Sequence, residues 1–266
     1  MVDLQNKSIL ISGASSGIGA VTAVACAKAG MNVALMARRE DRLAEVAEHI
    51  RAHGKRTHLI VGSVDSDADC ERALYESQDE LGPLHCVLAN AGYGGQQLCH
   101  TMSIQDTRDM FETNLYGSLR LVLPMIEQFK ERGSGHAIMV SSCLSKIGLP
   151  NYGPYCATKA AQDYICRGIR LELKGTGVHV SSVHPIGTKT EFFDTASKRI
   201  GQDSGPKGMR GYTLQPPERV ANAIVRCLRK PKGEVWTSLP TRLAMAGTVV
   251  APSLTDWALA RVMRKK

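Results

Sequence analysis

Ser8-Ile-Leu-Ile-Ser12-Gly13-Ala-Ser15-Ser16-Gly17-Ile18-Gly19 is the stretch that sets the architecture. A short apolar run with β-branched residues enters a glycine turn. An alanine-rich helical pattern follows over 20–29 and stops at Gly30. Strand, glycine turn and helix in that order are the context in which a glycine spacing carries information. The spacing here is Gly-x-x-x-Gly-x-Gly rather than Gly-x-Gly-x-x-Gly. Glycines at such a turn let backbone N–H groups approach a pyrophosphate, which then lies at the positive end of the helix.

Outward from that unit the alternation continues. Strands are expected at Asn32–Ala37, 57–62 and 85–89, with amphipathic helices at 40–53 and Asp67–Leu81. Asn90-Ala91-Gly92 ends the fourth strand. A long helix over 104–132 carries Asn114 and is bent by Pro124. Then come a strand at 137–141, a helix at 153–173, a strand at Val178–His184, a helix at Pro217–Arg229 and a short strand at 234–237. Uninterrupted strand–helix repeats predict a doubly wound, mostly parallel sheet with helices on both faces. We expect one such domain over residues 1–240, a lid over 190–213, and a tail over 241–266 with one short amphipathic helix.

At 266 residues the chain is long enough for one large core. Met1-Val2-Asp3 leads straight into Lys7 and a strand, so no signal peptide is expected. Eight cysteines without a Cys-x-x-Cys read as reduced, buried thiols, and a cytoplasmic location follows. No metal-ligand set is assigned. The net charge of +8 is scattered, without a stripe or motif for nucleic acid. A basic cleft for a phosphorylated cofactor needs only two or three of those cations.

Chemistry concentrates in Ser142 to Lys159. Tyr155 and Lys159 are four apart at the front of a helical run, so they share one face. An ammonium near a phenol favours the phenolate and lowers a pKa of about 10. Such a tyrosine exchanges a proton with an alcohol or carbonyl oxygen, and Ser142 can add a second hydrogen bond to that oxygen.

With these residues in place the chain resembles the short-chain dehydrogenase/reductase family over residues 7 to about 237. The matches are Gly13/Gly17/Gly19, Asn90-Ala91-Gly92, Asn114, Ser142 and Tyr155-x-x-x-Lys159, in that order. The resemblance implies a Rossmann-type fold that binds NAD(P), with Asn114, Ser142, Tyr155 and Lys159 catalytic. Tyr155 is then the general acid/base, and Lys159 holds the nicotinamide ribose. Ser142 orients the substrate oxygen, and Asn114 holds a water that relays protons from Lys159. It also implies cofactor contacts from Gly13, Ser15, Ser16, Gly17, Ile18, Gly19, Ser63, Val64, Asn90, Ala91, Gly92, Tyr155, Lys159 and Pro185. Two positions depart from the family pattern: Ser63-Val64 stands for Asp-Val, and Pro185-Ile186 for Pro-Gly, with Thr188 and Thr190 still placed to meet the carboxamide.

Ala37 stands where an NAD enzyme has an acid for the ribose 2′-OH, and Arg38-Arg39 follow it. This selects NADP over NAD, with Arg38 and Arg39 assigned to the cofactor, Arg38 on the 2′-phosphate and Ser16 adding a hydroxyl; for Arg39, before Glu40 and Asp41, a water-facing orientation is the alternative. The expected substrate pocket (Tyr93, Leu144, Ile147, Leu149, Tyr152, Ile186, Phe192, Phe193) suits a hydrophobic carbonyl or alcohol. The expected activity is hydride transfer between NADP(H) and a secondary alcohol or ketone. A 3-oxoacyl thioester reductase and a non-catalytic dinucleotide-sensing scaffold are the alternatives. Ser141, His184, Cys143 and Cys156 are read as structural.

In the tail, Ser253-Leu-Thr-Asp256 reads as a capping box opening the last helix after Pro252. Leu254, Trp257, Ala258 and Val262 form an apolar stripe, followed by Arg261, Arg264 and Lys265. The stripe is expected to pack on the domain or on a second subunit of a homodimer or homotetramer; a peripheral membrane contact is the alternative.

Overall fold

A computed structural model describes residues 1–192 and 214–263, with side chains to Arg261. Most of the expected lid, Phe193, the side chain of Val262, and residues 264–266 lie outside the described residues.

Among the described residues one seven-stranded sheet forms the centre: β1 (Ser8–Ser12), β2 (Asn32–Ala37), β3 (Thr57–Val61), β4 (Leu84–Ala89), β5 (Gly135–Val140), β6 (Val178–His184) and β7 (Glu234–Trp236). The order is β3-β2-β1-β4-β5-β6-β7, with every pairing parallel. Parallel strands covered on both faces must be apolar throughout rather than alternating. Accordingly every residue of β1, β2 and β5 is buried.

The helices are α1 (Gly17–Lys28), α2 (Glu40–Arg51), α3 (Asp67–Leu81), α4 (Ile104–Phe111), α5 (Gly117–Glu131), α6 (Gly153–Glu172), α7 (Pro217–Arg229), α8 (Leu239–Val250) and α9 (Pro252–Met263). One apolar cluster joins β1 and β2 to α1, α2 and α7. The other joins the opposite sheet face to α3, α5 and α6. The strand order reverses between β1 and β4, and the crevice at their carboxyl ends is where ligands of such sheets bind.

Four expectations change. The long helix over 104–132 is not one helix: a π-helical turn at Glu112–Tyr116 separates α4 from α5, so the break falls at Asn114 rather than at Pro124. The tail holds two helices rather than one. Ser238 caps α8, its hydroxyl accepting from Thr241 N at 3.3 Å, so that helix begins before residue 241. The expected capping box is absent because α9 starts at Pro252, whose fixed φ suits a first helical position, and Ser253 falls inside the turn. The thiols are all free, but Cys99 is exposed and Cys143 half-buried rather than buried.

Candidate active site

The glycine turn leaves β1 with Gly13 at φ +64°, and a side chain there would strike the Ala91 Cα at 2.9 Å. A Cβ on Gly19 would clash with the Gly13 carbonyl oxygen. Asn90 locks the turn to β4: its Nδ2 donates to the main-chain oxygens of Ser12 and Gly13, and Ser12 Oγ accepts from the N–H groups of Asn90 and Ala91. Ser66 and Ser103 cap α3 and α4, but no side chain caps α1. The N–H groups at its start therefore face the crevice ready for an anion.

A cavity of about 520 Å³ runs from this turn past Ala37, Arg38, Arg39, Ser63 and Val64 to Ser142, Tyr155 and Lys159. Asn90, Ala91, Gly92, Pro185, Thr188 and Thr190 also line it, so it collects the cofactor residues expected from sequence, apart from Gly19, which packs behind the turn. Thr188 is nearly buried; its hydroxyl donates to the Ile186 oxygen and accepts from Gln215 Nε2. Gln215, which the sequence did not single out, thus fixes that wall. Of the expected apolar pocket, Tyr93, Leu144, Tyr152, Ile186 and Phe192 line the cavity, whereas Ile147 and Leu149 do not. Phe192 meets the Tyr155 ring edge-on at 5.6 Å.

Arg39 is exposed, yet it also engages the site. Its guanidinium donates to Ser15 Oγ at 3.2 Å and pairs with Glu191 at 3.0 Å, across the mouth of the cavity. Arg38 is exposed and lines the cavity beside Ala37. Ser63 N donates to Asp69 at 2.9 Å, a bond that holds that carboxyl below its ordinary value.

Ser142, Tyr155 and Lys159 converge at the other end. Ser142 stands beside the Tyr155 phenol, where its hydroxyl favours the phenolate. Lys159 Nζ lies 5.8 Å from the Tyr155 ring centroid and donates to Val140 O and Gln162 Oε1, both at 2.9 Å. The expected lowering of the tyrosine pKa is not what the protein's own groups produce. Burial pushes the phenol up, outweighing the Ser142 hydroxyl, and the same burial lowers Lys159 to about 7. A lysine near neutrality holds less positive charge with which to favour a phenolate.

Asn114 sits in the π-helical turn, fully buried. Its amide bonds the main chain of Tyr93 both ways at 2.8 Å and donates to Thr158 Oγ1 at 3.0 Å. Its carbonyl accepts from Gln162 Nε2 at 2.6 Å and Ser118 Oγ at 2.8 Å. The link between Asn114 and Lys159, expected to be a water, is therefore the side chain of Gln162. A carbonyl offers two lone pairs, and both are engaged.

Behind this end lies a buried charged cluster. Lys146 Nζ is 2.5 Å from Asp163 and 3.3 Å from Glu234. Ser182 Oγ donates to Asp163 at 2.7 Å. His184 stacks on Trp236 at 4.4 Å, and its Nδ1 lies 3.1 Å from Ser142 O. Asp163, His184 and Glu234 come close enough to resemble a metal-ligand set, but the Lys146 ammonium already sits between the two carboxylates. Ser141 Oγ donates to Lys159 O, a satisfied hydroxyl as read.

A parallel sheet that switches direction over an uncapped helix start, with serine, tyrosine and lysine at one end of the crevice, defines a dinucleotide-binding oxidoreductase fold. The chain matches the short chain dehydrogenase family over residues 7–201 and belongs to it. It is 29% identical over 262 residues to the ketoacyl reductase HetN of Nostoc sp., covering 96% of this chain and 89% of that protein. An alcohol dehydrogenase from Thermococcus sibiricus, complexed with 5-hydroxy-NADP, is 28% identical with a TM-score of 0.74, covering 86% of this chain and 95% of that one. A short chain dehydrogenase/reductase from Burkholderia phymatum in complex with NAD superposes with a TM-score of 0.87, covering 96% and 97%. At 20% identity it shows the fold alone.

Proposed function

We propose that this protein transfers hydride between NADP(H) and a secondary alcohol or ketone of a hydrophobic substrate, with Tyr155 as general acid/base. The carrying observation is the convergence of Ser142, Tyr155 and Lys159 at the apolar end of a cavity whose other end is the uncapped start of α1. The residues fit the dinucleotide: turn glycines allow close approach, free N–H groups suit a pyrophosphate, and Lys159 suits ribose hydroxyls. When bound, the nicotinamide donates or accepts the hydride. Ser142 orients the substrate oxygen; the Tyr155 hydroxyl gives it a proton in reduction, and the Tyr155 phenolate takes one from it in oxidation. Phe192, Leu144 and Tyr152 keep water from that oxygen and favour an apolar substrate. A panel of hydrophobic ketones, steroids and 3-oxoacyl thioesters, each with NADPH and NADH, tests this. Dinucleotide binding without turnover on any of them would favour the scaffold reading. Preference for thioesters would favour the 3-oxoacyl reductase reading, in keeping with the ketoacyl reductase HetN.

Cofactor choice gives the second test. A hydrogen bond to a charged group contributes about 1.5–3 kcal/mol, so Arg38 on a 2′-phosphate corresponds to a preference for NADP of roughly 10- to 150-fold. Ala37→Asp with Arg38→Leu is expected to erase or invert it in kcat/KM. Wild-type activity that is equal or better with NADH at moderate salt would refute the role of Arg38. Arg39, held by Ser15 and Glu191, offers a second cation at the same end.

Gln162 completes the machinery as a positioning residue. It accepts from Lys159 and donates to Asn114, and an amide does not hand a proton onward as a water does. Its task is to fix the lysine. Gln162→Leu should lower turnover about tenfold through the lost charge-assisted bond, and weaken dinucleotide binding, with KM for the alcohol little changed. Unaltered turnover and binding would remove it from the site.

A further inference from the structure

α8 reads Leu-Pro-Thr-Arg-Leu-Ala-Met-Ala-Gly-Thr-Val-Val, with only Thr241, Arg242 and Thr248 polar. A helix apolar almost all round belongs in a core or in lipid. Yet no described residue from Leu239 to Arg261 is buried. Leu239, Leu243, Val249, Val250, Leu254 and Trp257 are each more than half exposed. The expectation that the tail packs on its own domain is thus not met. What the domain offers α8 is a narrow footing: Thr248 Oγ1 donates to Lys146 O at 3.1 Å, in the 3₁₀ turn that follows Ser142.

We propose that α8 and α9 together dock on the surface of an anionic lipid bilayer. Two observations select lipid over a second copy of the chain, and a third sets how the helices lie on it. First, residues 239–266 hold five basic residues (Arg242, Arg261, Arg264, Lys265, Lys266) against the single acid Asp256. A two-fold contact between two such tails pairs like charges, whereas anionic headgroups neutralise them. Second, the Arg261 guanidinium lies over the Trp257 ring at 5.3 Å, an amphipathic pair suited to the headgroup level. Third, each helix has twelve residues and the two are bent by 113°. Each is roughly 18 Å long, short of the ~30 Å hydrocarbon thickness. The pair lies in the interface rather than crossing it. The docking stands independently of the chemistry at Tyr155.

Sedimentation of the full chain with phosphatidylcholine vesicles, with and without a quarter of phosphatidylglycerol, tests it. Binding is expected to the anionic vesicles and to be at least tenfold weaker without phosphatidylglycerol. Tryptophan emission should shift to the blue on binding, and Trp257→Phe should lose that shift although Trp236 remains. Removing Arg242 or Arg261 as glutamine should weaken binding roughly fivefold each. Leu243→Asp with Leu254→Asp should abolish it while melting and dinucleotide binding hold. Failure of the wild type to sediment with anionic vesicles overturns the proposal. So does a Leu243→Asp/Leu254→Asp variant whose mass by light scattering falls from oligomer to monomer, which would make this face a subunit contact.

Discussion

Tyr155→Phe is expected to lower turnover by about 10²–10⁴-fold while leaving dinucleotide affinity nearly intact. The hydroxyl serves proton transfer, and the ring that remains still packs against Phe192. Lys159→Ala, by contrast, should lose both rate and dinucleotide binding, because the proposed function gives its ammonium both the ribose and the tyrosine to serve. The split is diagnostic: a disturbed pocket would lower both quantities in both variants. Single-turnover kinetics and a nucleotide titration separate them. A Tyr155→Phe enzyme retaining more than about a tenth of the wild-type rate would exclude it as the acid.

The pH dependence follows from the same environment. Burial holds the phenol above its ordinary value, so it is protonated throughout the neutral range. Reduction of a carbonyl uses the protonated form and should stay level through neutral pH. Oxidation of an alcohol uses the phenolate and should climb about tenfold per pH unit until the group titrates. An oxidation rate that is level above pH 7 would mean that a bound ligand lowers this phenol.

Strands were the most legible part of the fold. The apolar centres of β1 and β2 are closed by glycine or polar turns, and burial on both faces leaves such runs few alternatives. The π-helical turn at Asn114 was hidden, because one extra residue in a turn leaves the apolar periodicity on either side intact. α8 was hidden for another reason: with no polar face there is no 3.6-residue alternation to detect, and Pro240 reads as a breaker. In the site, residues four apart on one helix were readable as a pair. Gln162 was not, since its partners Asn114 and Ser118 lie 48 and 44 positions away. Adjacent Arg38 and Arg39 could not be told apart by sequence, because which one reaches Ser15 depends on how the chain turns from β2 into α2.

The same distance in sequence concealed the cluster around Asp163, where the largest stability effect is expected. Asp163 is 3% exposed and accepts from Lys146 and Ser182, with His184 Nε2 at 3.4 Å. Burial alone would raise its pKa, but hydrogen bonds from His184, Lys146 and Ser182 outweigh it and hold the carboxyl well below the usual range. Breaking a buried pair leaves an uncompensated charge at a cost of about 3–5 kcal/mol. Lys146 and Glu234 are 22% and 29% exposed, which places Asp163→Ala near the lower figure, about 3 kcal/mol. Lys146→Met should destabilise comparably, while Asp163→Ala with Lys146→Met should recover part of the loss, since neither charge is then stranded. A group with a depressed folded pKa contributes stability above its unfolded value, about 4, and loses it as pH falls through the folded value. Urea unfolding should therefore show the gap between wild type and Asp163→Ala at full size from pH 5 to 8 and narrowing on acidification below about 4. A gap that is constant or widens in acid would show that the cluster holds the fold by packing alone. If turnover in Asp163→Ala also falls while the protein stays folded, the path is short: His184 loses its carboxylate, and its Nδ1 contacts the main-chain oxygen of Ser142.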